Sequence, residues 1–239
     1  MNTQSQFIGR ASSIGKLMTN DRSGKNIGDT AIKELQQMVL FDKYGIIKDI
    51  SSKYTDKGIQ NERIGMEMAM NVLGWFDLDP DAPKIRQTNS FITGEPDILT
   101  PNLLADIKCS FDGTTFPWFD DECPNKLYMY QMQSYMWLTG RDESFLVYVL
   151  TDMPEQMILD EIGRQTWRNL PNPKYADKTQ SEIEELMDEH VRGQWMFGHI
   201  PMEQRVKSFR IERDDNMIEA IKTRIEICRE LYNKFWNQI

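Results

Sequence analysis

Gly94–Cys109 reads GEPDILTPNLLADIKC and sets Asp97 ahead of an Asp106-Ile107-Lys108 triplet, with the turn formers Pro96, Pro101 and Asn102 around and between them. Arg86–Ile92 and Leu103–Cys109 carry β-branched or apolar residues, and the spacing predicts two antiparallel strands of one hairpin. In the second strand, alternation sends Leu104, Asp106 and Lys108 to one face and Leu103, Ala105, Ile107 and Cys109 to the other. A carboxylate and an ammonium on the inward face of an apolar strand are costly to bury unless they have partners. A bound divalent metal and its water would supply them. Mg²⁺ suits such a place, because it takes oxygen ligands, keeps several waters and bridges carboxylates to phosphate. The plainer alternative makes Asp97 a turn residue and Asp106 and Lys108 a solvated edge pair.

Two helical segments bear on that choice. Tyr54–Leu73, YTDKGIQNERIGMEMAMNVL, has helical period with Ile64, Met68 and Val72 among its apolar positions. Glu62 near its start is a candidate third oxygen ligand, with Glu67 as its local competitor. Lys126–Gly140, KLYMYQMQSYMWLTG, is a second helix in which Gln131 and Tyr135 are four apart and share a face. Most of it reads as an aromatic and methionine core. The glutamines inside that run still need hydrogen-bond partners, and a metal-bound water or a phosphate is a candidate for one of them.

The order Gly58-x-x-x-Glu62, Pro96-Asp97, Asp106-x-Lys108 and Gln131-x-x-x-Tyr135 resembles the PD-(D/E)XK nuclease superfamily, specifically its lambda-exonuclease-like, YqaJ-type viral recombinase branch. The likeness extends to the Ala11-Ser12 pair, the Arg22-Ser23-Gly24-Lys25 string, the YMYQMQSYMW helix and Ile211–Asp214, in the family's order over most of the chain. The resemblance implies an α/β fold with a restriction-endonuclease-like core, a central mixed β-sheet flanked by helices. It implies one nuclease domain spanning 1–239, with a helical insertion at about 151–205.

By the same resemblance, Asp97, Asp106, the Ile107 carbonyl and Glu62 ligate the catalytic metal, Mg²⁺ or alternatively Mn²⁺. Lys108 orients or deprotonates the attacking water and stabilises transition-state charge, Gln131 positions water or phosphate, and Tyr135 buttresses that helix. Arg10 and Ser12, with Tyr135 beside them, are the candidates for DNA phosphate binding. Where the family carries an arginine upstream of the Ala-Ser pair, this chain has Ser5, and Glu95 replaces a small hydroxyl residue before Pro96. The implied activity is exonucleolytic resection of duplex DNA from 5′ ends for phage-type recombination, with a single-strand annealing protein as partner and a ring trimer as the assembly. The alternatives are a structure-specific or single-strand endonuclease on the same core, and a catalytically idle DNA-binding module.

Composition sets bounds. A chain of 239 residues that is 40% hydrophobic can bury one sizeable core. No run is long and apolar enough to span a membrane, and Met1–Arg10 lacks a signal-peptide layout, so the expected location is the cytoplasm of a bacterium or phage-infected host. Three widely spaced cysteines indicate neither a disulfide framework nor a zinc site, and they fall short of the four that an iron–sulfur cluster needs. The net charge of −9 counts against a DNA binder unless basic residues are confined to a channel. Arg10, Lys16, Arg22 and Lys25 are the expected channel residues, and Glu182–Glu189 an outward acidic helix face with Ile183, Leu186 and Met187 beneath. Asn20–Asn26 reads as a flexible loop. Phe111–Pro124 reads as a loop whose Trp118 and Phe119 serve as lid, stacking wedge or core plugs. His190 and His199 lack metal-ligand spacing and stay outside the site.

Overall fold

β5 (Leu104–Cys109) carries the triplet, but its antiparallel partner is not the expected one. In the computed structural model, which describes residues 6–47 and 53–239, that partner is β4 (Ile98–Leu99), with Ile98 opposite Ala105 and Leu99 opposite Leu104. The turn between them is closed by Thr100, whose hydroxyl oxygen accepts the Leu103 N–H and whose own N–H donates to the Leu103 carbonyl. The 86–92 segment belongs to a separate small sheet. There β2 (Gln87–Thr88) is antiparallel to β3 (Ile92–Gly94), and β1 (Gly9–Arg10) lies parallel to β3. Pro96 explains the break: with no N–H it cannot continue a ladder, so β3 ends before it and the chain crosses to the other sheet with Asp97 at the joint.

The larger sheet has the order β4-β5-β6-β7, with β6 (Glu143–Val149) parallel to β5 and β7 (Val206–Glu212) antiparallel to β6. Both sheets are therefore mixed and flanked by helices, as the α/β expectation requires, although the single central sheet is divided in two. Parallel neighbours need a crossover, which α4 (Lys126–Thr139) supplies. It begins at Asn125, whose side chain accepts the Leu127 N–H, and stops at Gly140 in the left-handed conformation, φ 69°.

Alternation along β5 divides the core as expected. Leu104 joins Met132, Met136 and Leu146 under α4, while Ala105 and Ile107 join Met68 and Ala69 under α3 (Lys53–Leu73). The buried stripe of α3 differs from the expected one. It runs through Lys57, Asn61, Gly65 and Met68, and Ile64 faces solvent.

α1 (Ala11–Leu17), α2 (Asp29–Tyr44) and α7 (Asp215–Gln238) enclose a third cluster through Leu17, Leu35, Ile221, Ile225 and Tyr232. α5 (Glu155–Asn169) and α6 (Gln180–Trp195) pack on each other around Ile158, Ile162, Ile183, Met187 and Val191. The acidic face of α6 points outward as expected, and Leu186 is exposed with it. The 20–26 segment is ordered rather than loose: an Asn20–Ile27 bridge closes it, and the Asp21 carboxylate accepts from Ser23 and Asn26. Among the described residues no helix is long and apolar enough to cross a membrane.

Candidate active site

Asp97 stands just before β4, and its side chain extends the ladder that the short strand leaves unfinished: Oδ2 accepts the Ile107 N–H at 2.7 Å. The N–H and C=O of a strand residue leave on the same side, so the Ile107 carbonyl opens onto the same edge. Asp106 turns to the α4 side and is only 2% exposed. Lys108 Nζ lies 2.7 Å from its Oδ2, a buried ion pair in which the ammonium is the partner of that oxygen. Burial pushes the Asp106 carboxyl up to about 6, against the opposing pull of Lys108. Burial works to lower the Lys108 pKa, but Asp106 and then Asp97 outweigh it and hold the ammonium above its ordinary range.

The two buried glutamines of α4 find different partners. Gln133 donates to the Glu212 carbonyl and accepts the Asp214 N–H, tying α4 to the start of α7. Gln131 points into the site, its Nε2 3.4 Å from Asp106 Oδ1 and 2.9 Å from Tyr135 Oη. Tyr135 in turn donates to the Glu95 carbonyl at 3.2 Å. This chain needs Gly94, since a Cβ there would stand 2.8 Å from Tyr135 Cε1 and 2.7 Å from Ala11 Cβ. Burial, then the Asp106 charge, raises the Tyr135 pKa, so its hydroxyl stays a donor.

Of the two glutamates competing on α3, Glu62 joins the site and Glu67 pairs with Arg63 at 3.3 Å. Glu62 arrives through a residue that sequence reasoning missed. Lys84 Nζ sits 2.5 Å from Glu62 Oε1 and 2.6 Å from Asp97 Oδ1. Burial acts to lower its pKa, and the hydrogen bonds and charges of Asp97 and Glu62 reverse this and hold it well above the lysine range. The available signal was Lys84-x-Arg86, two cations at alternating positions ahead of β2. Among the described residues no three acidic, cysteine or histidine side chains form a ready-made metal cluster. The oxygens that can serve a divalent cation are the Asp97 and Asp106 carboxylates, the Ile107 carbonyl and Glu62.

Arg10, Ser12, Glu95 and Tyr135 line a cavity of about 440 Å³, together with a second missed residue, Arg86. Arg86 Nε is 2.6 Å from Glu95 Oε1, and the Arg10 guanidinium lies 5.2 Å from the Phe41 ring centroid. The other expected channel cations are elsewhere: Lys16 pairs with Glu34 at 3.0 Å, and Arg22 and Lys25 are exposed on the 20–27 segment. Ser5 lies outside the described residues. In the 111–124 loop Trp118 packs on Phe116 with ring centroids 4.7 Å apart, whereas Phe119 is 96% exposed.

Lys57 is a third missed residue. It is fully buried, and its Nζ donates to the carbonyls of Ser110, Phe111 and Thr151 at 2.8, 2.8 and 2.6 Å. One ammonium thus fastens the helix that bears Glu62 to the segments leaving β5 and β6. A lysine inside an amphipathic helix reads as a solvated face from sequence, and only the sheet's ends reveal its acceptors.

Compared with protein-family models and with curated proteins, the chain matches none. Among solved structures it is similar to a phage-related exonuclease from Haemophilus somnus 129PT, at 28% identity over 98% of this chain and 97% of that one, with a TM-score of 0.70. It is also similar to an alkaline exonuclease from Laribacter hongkongensis, at 16% identity over 95% of this chain and 89% of that one, with a TM-score of 0.57. The latter protein in complex with dAMP gives 17% identity over the same shares and the same TM-score of 0.57. The chain has the fold of these exonuclease structures.

Proposed function

We propose that the chain is a metal-dependent deoxyribonuclease that resects duplex DNA from 5′ ends, leaving a 3′ single strand for an annealing partner in phage-type recombination. The observation that carries this reading is the buried Asp106–Lys108 ion pair, one strand position from the Asp97–Ile107 contact. Two carboxylates and an ammonium gathered there are costly to bury unless their remaining lone pairs find partners. An oxygen-liganded divalent cation fits it, because Asp97, Asp106 and the Ile107 carbonyl all offer oxygen.

Mg²⁺, or Mn²⁺, would be held by Asp97, Asp106 and the Ile107 carbonyl, with Glu62 completing the set. When bound, the cation would acidify a water and screen the scissile phosphate. Lys108, held protonated by Asp106, orients that water and meets charge developing on the phosphate oxygens. Gln131, fixed by Tyr135, offers its amide beside Asp106 to water or phosphate. Arg10, Ser12 and Arg86 receive the terminal 5′-phosphate in the adjoining cavity. The whole chain acts as one nuclease unit, with the α5–α6 pair as an addition to the core and a ring as the assembly. Similarity to a phage-related exonuclease over nearly the full length of both chains favours end-dependent cleavage.

The test is an end-labelled linear duplex and a closed circle, each incubated with Mg²⁺ or with EDTA. Mononucleotides released from the linear substrate alone are the expected result. Nicking of the circle would replace the exonuclease reading with an endonuclease, and absence of any Mg²⁺-dependent product would sink both.

A further inference from the structure

We propose that Lys84 is the resident cation of the Glu62–Asp97 half of the site, and that a divalent metal enters that half only when the Lys84 ammonium leaves. The inference rests on the metal-dependent reading above. Nζ lies 2.5 Å from Glu62 Oε1 and 2.6 Å from Asp97 Oδ1, bridging a helix carboxylate and a sheet carboxylate as a metal ion would. Two anions held this close repel each other unless a cation stands between them. Here the chain supplies one of its own. An ammonium and a metal ion cannot share the same carboxylate oxygens, so the two compete.

The two lysines of the site are not equivalent in this respect. Lys108 is on β5, between β4 and β6, and its Nζ is covered by the Tyr128 ring, 4.8 Å to the centroid. It stays with Asp106. Lys84 lies on the segment 81–86, in which every residue is exposed, and its side chain is 33% exposed. Beside it is a cavity of about 190 Å³ lined in part by Met66, Leu78, Pro83 and Asp97, which gives the side chain room to withdraw. The Asp106 half offers a cation its Oδ1, whose hydrogen bond from Gln131 is long at 3.4 Å, while Lys108 keeps Oδ2; the Glu62–Asp97 half is gated by a lysine.

The experiment is a Mn²⁺ titration of the full chain, without DNA, read by the electron paramagnetic resonance signal of free Mn²⁺. In the wild type the expected result is one tighter class of site and one weaker by about tenfold or more. Lys84→Met should tighten the weaker class by about tenfold, while Lys84→Arg, which keeps a competing cation, should bind as the wild type does. Unchanged or weakened binding by Lys84→Met overturns the inference. A second measurement needs no variant: acylation of lysines in the wild type, read by mass spectrometry, should speed up at Lys84 and not at Lys108 when Mn²⁺ is added. Equal labelling of Lys84 with and without Mn²⁺ also overturns it. Wild-type binding that is lost in Asp106→Ala yet unaltered in Lys84→Met removes only the lysine gate. A wild type that binds no Mn²⁺ removes the metal reading along with it.

Discussion

Ile107 and Asp97 are joined by one charge-assisted hydrogen bond, N–H to Oδ2 at 2.7 Å, that connects the centre of the larger sheet to the joint where the chain leaves the smaller one. The same carboxylate turns its other oxygen to Lys84. A single side chain therefore fixes the local fold and, in the proposed function, carries charge for chemistry, and the two roles separate by substitution.

Asp97→Asn keeps an oxygen for the Ile107 amide and loses the anion. Its unfolding midpoint in urea should stay near that of the wild type while turnover on an end-labelled duplex falls by about 10²–10³-fold. Asp97→Ala also strands an amide whose residue is buried, and should lose a further ~1–3 kcal/mol of stability. Equal stability of the two variants would refute the ladder role of Asp97.

The Asp106–Lys108 pair is a second separation of stability from activity. Either single replacement, Asp106→Asn or Lys108→Met, leaves the other member without its partner in a largely buried place. The double variant removes both charges and should be at least as stable as the better single variant, though inactive. Thermal unfolding of the four proteins in EDTA checks this, and a double variant less stable than either single one would contradict it.

Lys57 predicts a pH dependence of stability. Burial, its largest influence, lowers its pKa from 10.5 to about 8, although three carbonyl acceptors favour the charged form. The unfolded chain keeps this proton up to about 10.5, while the folded chain releases it near 8, so between those values the unfolded state binds more protons. Stability should rise with pH across that window, by at most about 1.4 kcal/mol per unit, and the cost of charging Lys57 is fully present below it. Urea unfolding from pH 7.5 to 10.5 reads the slope. Lys57→Met should remove this contribution and, near pH 7, lose about 2–3 kcal/mol by leaving three carbonyls unmet.

Tyr135→Phe removes the hydroxyl that holds Gln131 against the Glu95 carbonyl. Turnover should fall about tenfold with a stability change of only ~1 kcal/mol. Gly94→Ala should cost more, ~1–3 kcal/mol, because its Cβ meets Ala11 and the Tyr135 ring at sub-contact distances. Activity lost in Gly94→Ala but untouched in Tyr135→Phe would mean that the ring packs and the hydroxyl does nothing.

Arg10 and Arg86 predict end recognition. If their cavity takes a terminal phosphate, 5′-phosphorylated duplex is degraded faster than 5′-hydroxyl duplex, and Arg10→Ala or Arg86→Ala reduces that preference by about tenfold, mainly through KM. Rates on the two substrates compared side by side settle it. A preference unchanged in both variants moves the phosphate site elsewhere.

On β5 and α4 local periodicity was enough to determine which side chains share a face, whereas on α3 it misplaced Ile64. Alternation placed Asp106 and Lys108 together and Ile107 opposite them, and helical spacing placed Gln131 with Tyr135 on α4, because both relations depend only on the geometry of one strand or one helix. Pairing across the chain is another matter. That β5 takes the two-residue β4 rather than 86–92 follows from Pro96 and from competition between sheets far apart in sequence. The choice of Glu62 over Glu67 depends on Lys84, which approaches from a loop more than twenty residues later. Lys57 looks like a surface lysine until α3 is laid over the ends of β5 and β6, where three carbonyls left by the sheet become its partners. Which charges meet, and which are buried, was decided by tertiary packing, since only long-range contacts determine where water is excluded.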